Sequence, residues 1–516
     1  MTIQRKRPVL STEKRWAVKI ERRLRFLKRN KMEESRKKEI VMGERKGFKS
    51  TFGFLMAAVG SAVGLGNIWG FPNKMGNNGG FAFLLVYIVL AVLCGYIVMV
   101  GELAIGRKTG KSAIATYQTL SRKFKWLGWL ATLSPFLILS FYCALGGYCV
   151  KYLVLNVGNL FGASFGTNGL SGAAIFEGFM LNPTECVVFG LIFLLLTMLI
   201  VMGGVSGGIE KFCSIGMPAL AVMLVIIIIR SCTLPGAVEG LKFMFVPNFE
   251  PLKKDFLSVL ATAGGQMFFS LSLGMGIMIT YGSYLGKSEN IAKNARTIIV
   301  FDTLVALMAG MAVLPAAFAL DPDGKIGGPS LLFVTLQNVF DNMGSIGAVF
   351  GIIFYLLVIL AAVSSSISLL EVIVTHFCDK AADKGKGDKR KAYSVIAALA
   401  VAVLCVLVCL DGLGYSGYWV PGRVLVDGAW QYTATYNDCW LDFFDMLSEG
   451  IMMPLGALLM CLMIGYEIGP DVVRDEIERN EGHKRKGYGF FKICVRFITP
   501  LLMVLVLYGQ IKEFFL

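Results

Sequence analysis

Hydropathy along this chain rises and falls in long waves rather than in short amphipathic periods. Apolar stretches long enough to cross roughly 30 Å of hydrocarbon as helices recur near residues 50–77, 81–106, 126–158, 185–203, 208–231, 256–285, 290–320, 346–378, 391–410, 438–467 and 490–511. The pattern predicts an all-α integral membrane protein with eleven transmembrane helices. Two of these stretches are broken at their centres by glycine and small polar residues. The first reads Ala57-Ala-Val-Gly-Ser-Ala-Val-Gly-Leu-Gly-Asn67, and the second Phe268-Phe-Ser-Leu-Ser-Leu-Gly-Met-Gly276. A helix interrupted at mid-bilayer leaves carbonyls and amides without helical partners. Lipid cannot satisfy them, so they must line a buried polar site.

The breaks occupy corresponding places in two halves, a pointer to the binding site of a secondary transporter. Residues 50–235 form a first five-helix repeat, 236–254 an extracellular connection and 255–468 a second repeat. A cytoplasmic loop at 469–489 then leads to an eleventh helix and a short extracellular C-terminus, 490–516. An odd number of helices per half sets the two halves in opposite orientations, a 5+5 inverted repeat plus one additional helix. Identity between the halves is negligible, so hydropathy and the placement of the breaks carry this expectation.

Composition agrees with the pattern. At 55% hydrophobic and 16% charged residues, with mean hydropathy +0.66, the chain is no water-soluble globule. Its formal charge of +15 is concentrated at one end, where residues 1–49 hold 18 Lys and Arg against 6 Glu. A basic tail beside a membrane domain marks the cytoplasmic face rather than a nucleic-acid site. It reads equally as a helix lying on anionic lipid or as a solvated arm. No short apolar core of a cleavable signal is visible in it. Lys and Arg recur in alternate loops: Arg107 to Lys125, Lys287 to Arg296, Lys384 to Lys391 and Arg474 to Lys486. That alternation predicts a cytoplasmic N-terminus and an extracellular C-terminus. The twelve cysteines show no metal-ligand spacing and read as small packing residues. His376 and His483 have no neighbours that suggest catalysis, and no nucleophile–base pair or organic-cofactor motif is present.

Four motifs then narrow the reading. Gly60-Ser-Ala-Val-Gly-Leu-Gly-Asn-Ile-Trp-Gly-Phe-Pro72, Gly101-Glu-Leu-Ala-Ile-Gly-Arg107, Gly265-Gln-Met-Phe-Phe-Ser-Leu-Ser-Leu-Gly274 and Ala361-Ala-Val-Ser-Ser-Ser366 resemble the neurotransmitter:sodium symporter family, in order and across roughly residues 45–512. The resemblance implies two sodium sites. One would use carbonyls of Gly60, Val63 and Ala361 with the hydroxyls of Ser364 and Ser365. On its own, a serine run more often serves close helix packing. The other would use the Ala62 carbonyl, Asn67, Ser270 and Asp302. Animal members of the family have chloride near this second site, whereas many bacterial members have a carboxylate. Here Ala306 stands where a chloride-site serine would be, so chloride-independent transport is expected. A bland reading makes Asp302 an interfacial cap at the start of its span.

By the same resemblance, Ala62, Gly64, Leu65 and Gly66 would offer amides to a substrate carboxylate, joined by the Tyr142 hydroxyl. Gly64 replaces the aspartate of amine transporters, so the substrate is expected to bring its own carboxylate. Ile138, Phe269, Ser270, Ser272, Met275, Ser365 and Leu369 would surround the rest, an uncharged lining that suits a hydrophobic or aromatic amino acid. Arg45 and Asp379 match a cytoplasmic ion-pair gate, with Phe48 beside them. Asp445 matches one half of an outer gate whose arginine is replaced by Gly70. Gly208 and Pro218 match a feature that lets the fifth helix unwind. The expectation is sodium-coupled symport across a plasma membrane, the bacterial inner membrane; eleven spans resemble bacterial members more than animal ones. A sensor or scaffold that binds an amino acid without moving it is the alternative.

Overall fold

A computed structural model describes residues 47–320, 330–385, 387, 389–426, 429–431, 435–478 and 488–515. Most of the basic tail, Arg45 and His483 lie outside the described residues.

The first apolar stretch folds as α1 (Thr51–Ala62) and α2 (Gly66–Asn77), bent by 47° at the break between them. Ser50 starts α1 by accepting a hydrogen bond from the Gly53 amide at 2.9 Å, satisfying one of the orphan donors of a first turn. Val63 ends it by turning to an extended conformation, φ −78° and ψ 95°. Single helices follow: α3 (Phe81–Thr109), α4 (Leu127–Phe161), α5 (Pro183–Met202) and α6 (Val205–Cys232). The second broken stretch gives α7 (Glu250–Ser270) and α8 (Ile277–Ser283). Then come α9 (Ile291–Leu320), α10 (Gly347–Asp383), α11 (Arg390–Asp411), α12 (Trp440–Glu467) and α13 (Tyr488–Phe515). A two-stranded hairpin, Val424–Val426 with Ala429–Gln431, sits between α11 and α12.

Among the described residues nine helices are long and apolar enough to cross a membrane, and α1 with α2 makes a tenth as one bent span. The remaining predicted span, 256–285, is the α7–α8 pair. Its longer helix begins on the polar run Glu250 to Asp255 and so falls outside that count.

Helix α4 runs through the middle, packing against α10, α5 and α11. Small residues set the closest approach. A Cβ on Gly147 would lie 2.5 Å from the Gly190 amide nitrogen, so α4 and α5 touch backbone to backbone. All twelve cysteines are free thiols, and ten are buried. The serines of α10, from Ser364 to Ser368, are buried; Ser364 and Ser365 face the unwound stretch after α1, while Ser366 meets Thr197 on α5 and Ser368 meets Tyr281 on α8. Buried polar groups also occur away from the breaks, as in the Arg107–Glu476 ion pair and the Asn156–Gln337 hydrogen bond.

Candidate functional site

The breaks are joined to each other. Ser272, on the unwound stretch between α7 and α8, donates to the Ser61 carbonyl at 2.9 Å. It sits at φ +54°, a region unusual for a side chain-bearing residue. Gly274 follows at φ +77°. Its amide donates to the carboxylate of Glu102 on α3 at 2.8 Å, and a Cβ there would lie 2.3 Å from the Met453 carbonyl oxygen. The stretch is held by close packing and by hydrogen bonds to its freed backbone, as a buried irregular segment requires.

A small cavity lies between the breaks. Ala62, Gly64, Gly66, Ile138, Tyr142, Phe269, Ser272, Met275, Ser365 and Leu369 line it, together with Ser61 and Ile277. Two residues expected here stand elsewhere. Leu65 faces a larger vestibule on the other side of Phe269 and Tyr142, and the Ser270 hydroxyl turns to Asp302. Ser61 lies within the first motif and Ile277 directly follows the second break, and nothing in their identity distinguishes them from packing residues. None of the lining residues is charged. A Cβ on Gly64 would fall 2.3 Å from Ser365 Oγ and 2.6 Å from the Tyr142 oxygen. Glycine at 64 is therefore a packing requirement, and an aspartate there could not fit this arrangement.

Two amides expected to face a ligand are engaged by the protein itself. Gly64 N–H donates to Asn67 Oδ1 at 3.1 Å, and Leu65 N–H donates to the Tyr142 oxygen at 2.9 Å. Buried amides must find an acceptor, and these two side chains are the ones within reach. Tyr142 can accept from Leu65 while its own proton remains for another acceptor.

Two oxygen-rich clusters flank the cavity. In one, Ser364 Oγ donates to the Ala361 carbonyl at 2.9 Å and lies 3.4 Å from that of Val63. Ser365 Oγ lies 3.1 Å from the Ser61 carbonyl and 3.4 Å from that of Gly60. The five expected residues thus converge, with Ser61 added. In the other, the fully buried Asp302 accepts from Asn67 Nδ2 at 2.8 Å, from Ser270 Oγ at 2.9 Å and from the Tyr87 hydroxyl at 3.0 Å. Asp302 sits well inside the 30-residue helix α9, which rules out its reading as a cap at the span's start. Tyr87 is a partner that sequence inspection missed, because it stands in the uniformly apolar run of α3. Ala306 is buried one turn beyond Asp302.

At the Phe48 end, Phe48 packs edge-on against Phe54, Tyr281 and Tyr284 at 5.4–6.2 Å. Asp379 accepts from the Ser112 amide at 2.6 Å; its expected partner Arg45 lies outside the described residues. A further ion pair there joins Arg390 to the fully buried Glu371, which also accepts from Tyr284 and Thr375. Helix α6 is continuous through Pro218, while the neighbourhood of Gly208 is a wide turn packed against the Ile200 carbonyl.

At the opposite end, a vestibule of about 390 Å³ reaches down to Leu65, Tyr142 and Phe269. Asp445 lines it together with Gly70, Lys74, Gln266 and Glu449. Lys74 makes its ion pair with Glu449, not with Asp445.

Comparison with known proteins adds to this geometry. A family model described as the sodium:neurotransmitter symporter family matches residues 45–161 and 184–421. An uncharacterized sodium-dependent transporter of Bacillus subtilis, YhdH, is 36% identical over 464 residues, covering 89% of this chain and 96% of its own. One from Haemophilus influenzae is 30% identical, covering 90% and 97%. The serotonin transporter of Drosophila melanogaster is 26% identical over 88% of this chain and 74% of its own. Among solved structures, MhsT in complex with L-phenylalanine superposes with a TM-score of 0.78. It is 35% identical, with 90% of this chain and all of that one covered.

Proposed function

We propose that this chain, which belongs to the sodium:neurotransmitter symporter family, carries a hydrophobic or aromatic amino acid into the cell together with sodium. The observation that carries the reading is the cavity between the breaks, which is walled by uncharged side chains around the Tyr142 hydroxyl. A similar protein, MhsT, has been solved with L-phenylalanine bound, and the apolar walls Ile138, Phe269, Met275 and Leu369 suit a side chain of that kind. In this reading the substrate carboxylate accepts a hydrogen bond from the Tyr142 hydroxyl and lies beside the unwound stretch after α1. The positive end of a half-helix favours an anion there.

Sodium is cargo alongside the amino acid. Its donor chemistry fits both oxygen clusters: neutral carbonyls and hydroxyls in one, an amide, a hydroxyl and a carboxylate in the other. We assign the first to Gly60, Val63, Ala361, Ser364 and Ser365, and the second to Ala62, Asn67, Ser270 and Asp302. Asp302 supplies a fixed negative charge at the second cluster, so transport needs no chloride. Because sodium and the substrate carboxylate share the stretch around residues 60–66, each raises the affinity of the other, a coupling reciprocal by necessity. The membrane potential adds about 2.3 kcal/mol per charge per 100 mV to inward movement.

Alternating access then needs the Phe48 end closed while the vestibule is open, and the reverse for release. Phe48, Tyr281 and Tyr284 are the closure on the cytoplasmic side in this reading. The inverted repeat supplies the two equivalent arrangements, and Gly208 with Pro218 is where α6 would loosen when the inner side opens.

Reconstitution into tight proteoliposomes with an inward sodium gradient tests the proposal. Accumulation of one or a few labelled apolar amino acids, lost when choline replaces sodium, is the expected result. Saturable binding without accumulation would sink symport and leave a sensor.

A further inference from the structure

An ion pair between two helices far apart in sequence stands in the wall of the vestibule. Lys74 lies on α2, one helical turn beyond Gly70. Glu449 lies on α12, one turn beyond Asp445. Their side chains form a salt bridge that is 25% and 8% exposed on the two partners. Both line the vestibule, and the remaining charged groups that line it, Asp438, Asp442 and Asp445, are all acidic. Asp445 is close enough to Lys74 to share its charge.

The level below the pair is open and polar. Gln266 on α7 donates through Nε2 to the Gly66 carbonyl at 2.7 Å, but its Oε1 is buried without a hydrogen-bond partner. A Cβ on Gly70 would stand 3.0 Å from that oxygen. A side chain at position 70 would press on Gln266, so glycine keeps that level of the vestibule wall free of one. A buried acceptor without a donor is costly, so Gln266 Oε1 is a group that a donor would satisfy.

We propose that Lys74 and Glu449 form the outer gate of this transporter, controlling passage from the vestibule to the level of Gly70 and Gln266 and so to the inner cavity. The proposal rests on the symport reading. Any movement that separates α2 from α12 to widen the mouth must break this pair. Because the pair is largely shielded from water, breaking it costs more than breaking a surface pair. A lysine presents one compact ammonium rather than a bidentate fork. Released from Glu449, it can pass to Asp445 one turn nearer the mouth, which makes the gate a latch with two positions.

The test uses the full chain in proteoliposomes, with Leu145→Cys at the bottom of the vestibule and Cys439→Ser to silence the native vestibule thiol. The readout is the rate at which a membrane-impermeant thiol reagent, added on the vestibule side with sodium present, labels position 145. Lys74→Glu and Glu449→Lys should each raise that rate about tenfold, the change expected from some 1.4 kcal/mol of lost closure. The double swap should restore it. Glu449→Gln, a milder change, serves if the reversals fold poorly and should shift the rate in the same direction. Unchanged rates in the single variants, or an effect from Asp445→Asn that equals or exceeds that of Glu449→Gln, would overturn the assignment. Sodium-dependent binding of labelled phenylalanine is measured in parallel. If the unmodified gate background binds none, the symport reading fails, while the labelling rates still judge the gate.

Discussion

Asp302 is a carboxylate in the interior of an apolar helix, and three donors from three other helices meet it: Asn67 on α2, Tyr87 on α3 and Ser270 on α7. An isolated charge at that depth would be expensive; this one is solvated by protein instead of water. Asp302→Asn keeps the shape but removes the charge and turns an amide N–H toward side chains that already donate. The expected outcome is a loss of apparent sodium affinity of tenfold or more, since hydrogen bonds to a charged group contribute about 1.5–3 kcal/mol. Equilibrium amino-acid binding titrated with sodium reads this directly, and an unshifted midpoint would remove Asp302 from the sodium cluster. The residues of this cluster that sit in motifs were legible in the sequence. Tyr87 was not, because a hydroxyl inside an aromatic and aliphatic run looks like any packing tyrosine until its helix is placed.

At the scale of elements, the breaks were the strongest local signal, because glycine and small polar residues interrupt runs that are otherwise continuous. What holds each break is less local. Gly274 and Gly110 both adopt positive φ, +77° and +63°, yet Gly110 has open space where a Cβ would go while Gly274 faces the Met453 carbonyl at 2.3 Å. Gly110→Ala should cost roughly 1–2 kcal/mol, the conformational penalty alone. Gly274→Ala adds a backbone collision to the same penalty. Thermal unfolding in detergent should therefore fall clearly further for Gly274→Ala than for Gly110→Ala, and equal shifts would mean the second break adapts freely. The start of the sixth predicted span was legible too. Its hydropathy begins near residue 256, and the chain kinks at Asp255, φ −151° and ψ 82°, whose carboxylate accepts from the Ser258 amide at 3.0 Å as the apolar helix starts.

For the whole molecule, the two ends differ in how they are closed. One is sealed by rings around Phe48 and by the Arg390–Glu371 pair, the other opens into the vestibule whose wall holds Lys74 and Glu449. The inner cavity lies between them, and α1, α7 and α10 all reach it. Because a carboxylate already stands beside one oxygen cluster, replacing chloride with gluconate should leave sodium-driven uptake unchanged. Loss of uptake on chloride removal would show that Asp302 does not serve as the fixed charge.

The sequence by itself determined the all-helical membrane class, the family resemblance and the location of both interruptions. Each of these is written in residues close together in the chain: apolar length, glycine spacing and adjacent hydroxyls. Tertiary structure decided which of those residues meet. It turned Ser270 toward Asp302 and Leu65 toward the vestibule, engaged the Gly64 and Leu65 amides with Asn67 and Tyr142, and paired Lys74 with Glu449. Apart from Gly64 with Asn67, three residues on, such contacts join positions tens to hundreds of residues apart, and the tilt and rotation of packed helices set them. No periodicity along one segment encodes that geometry.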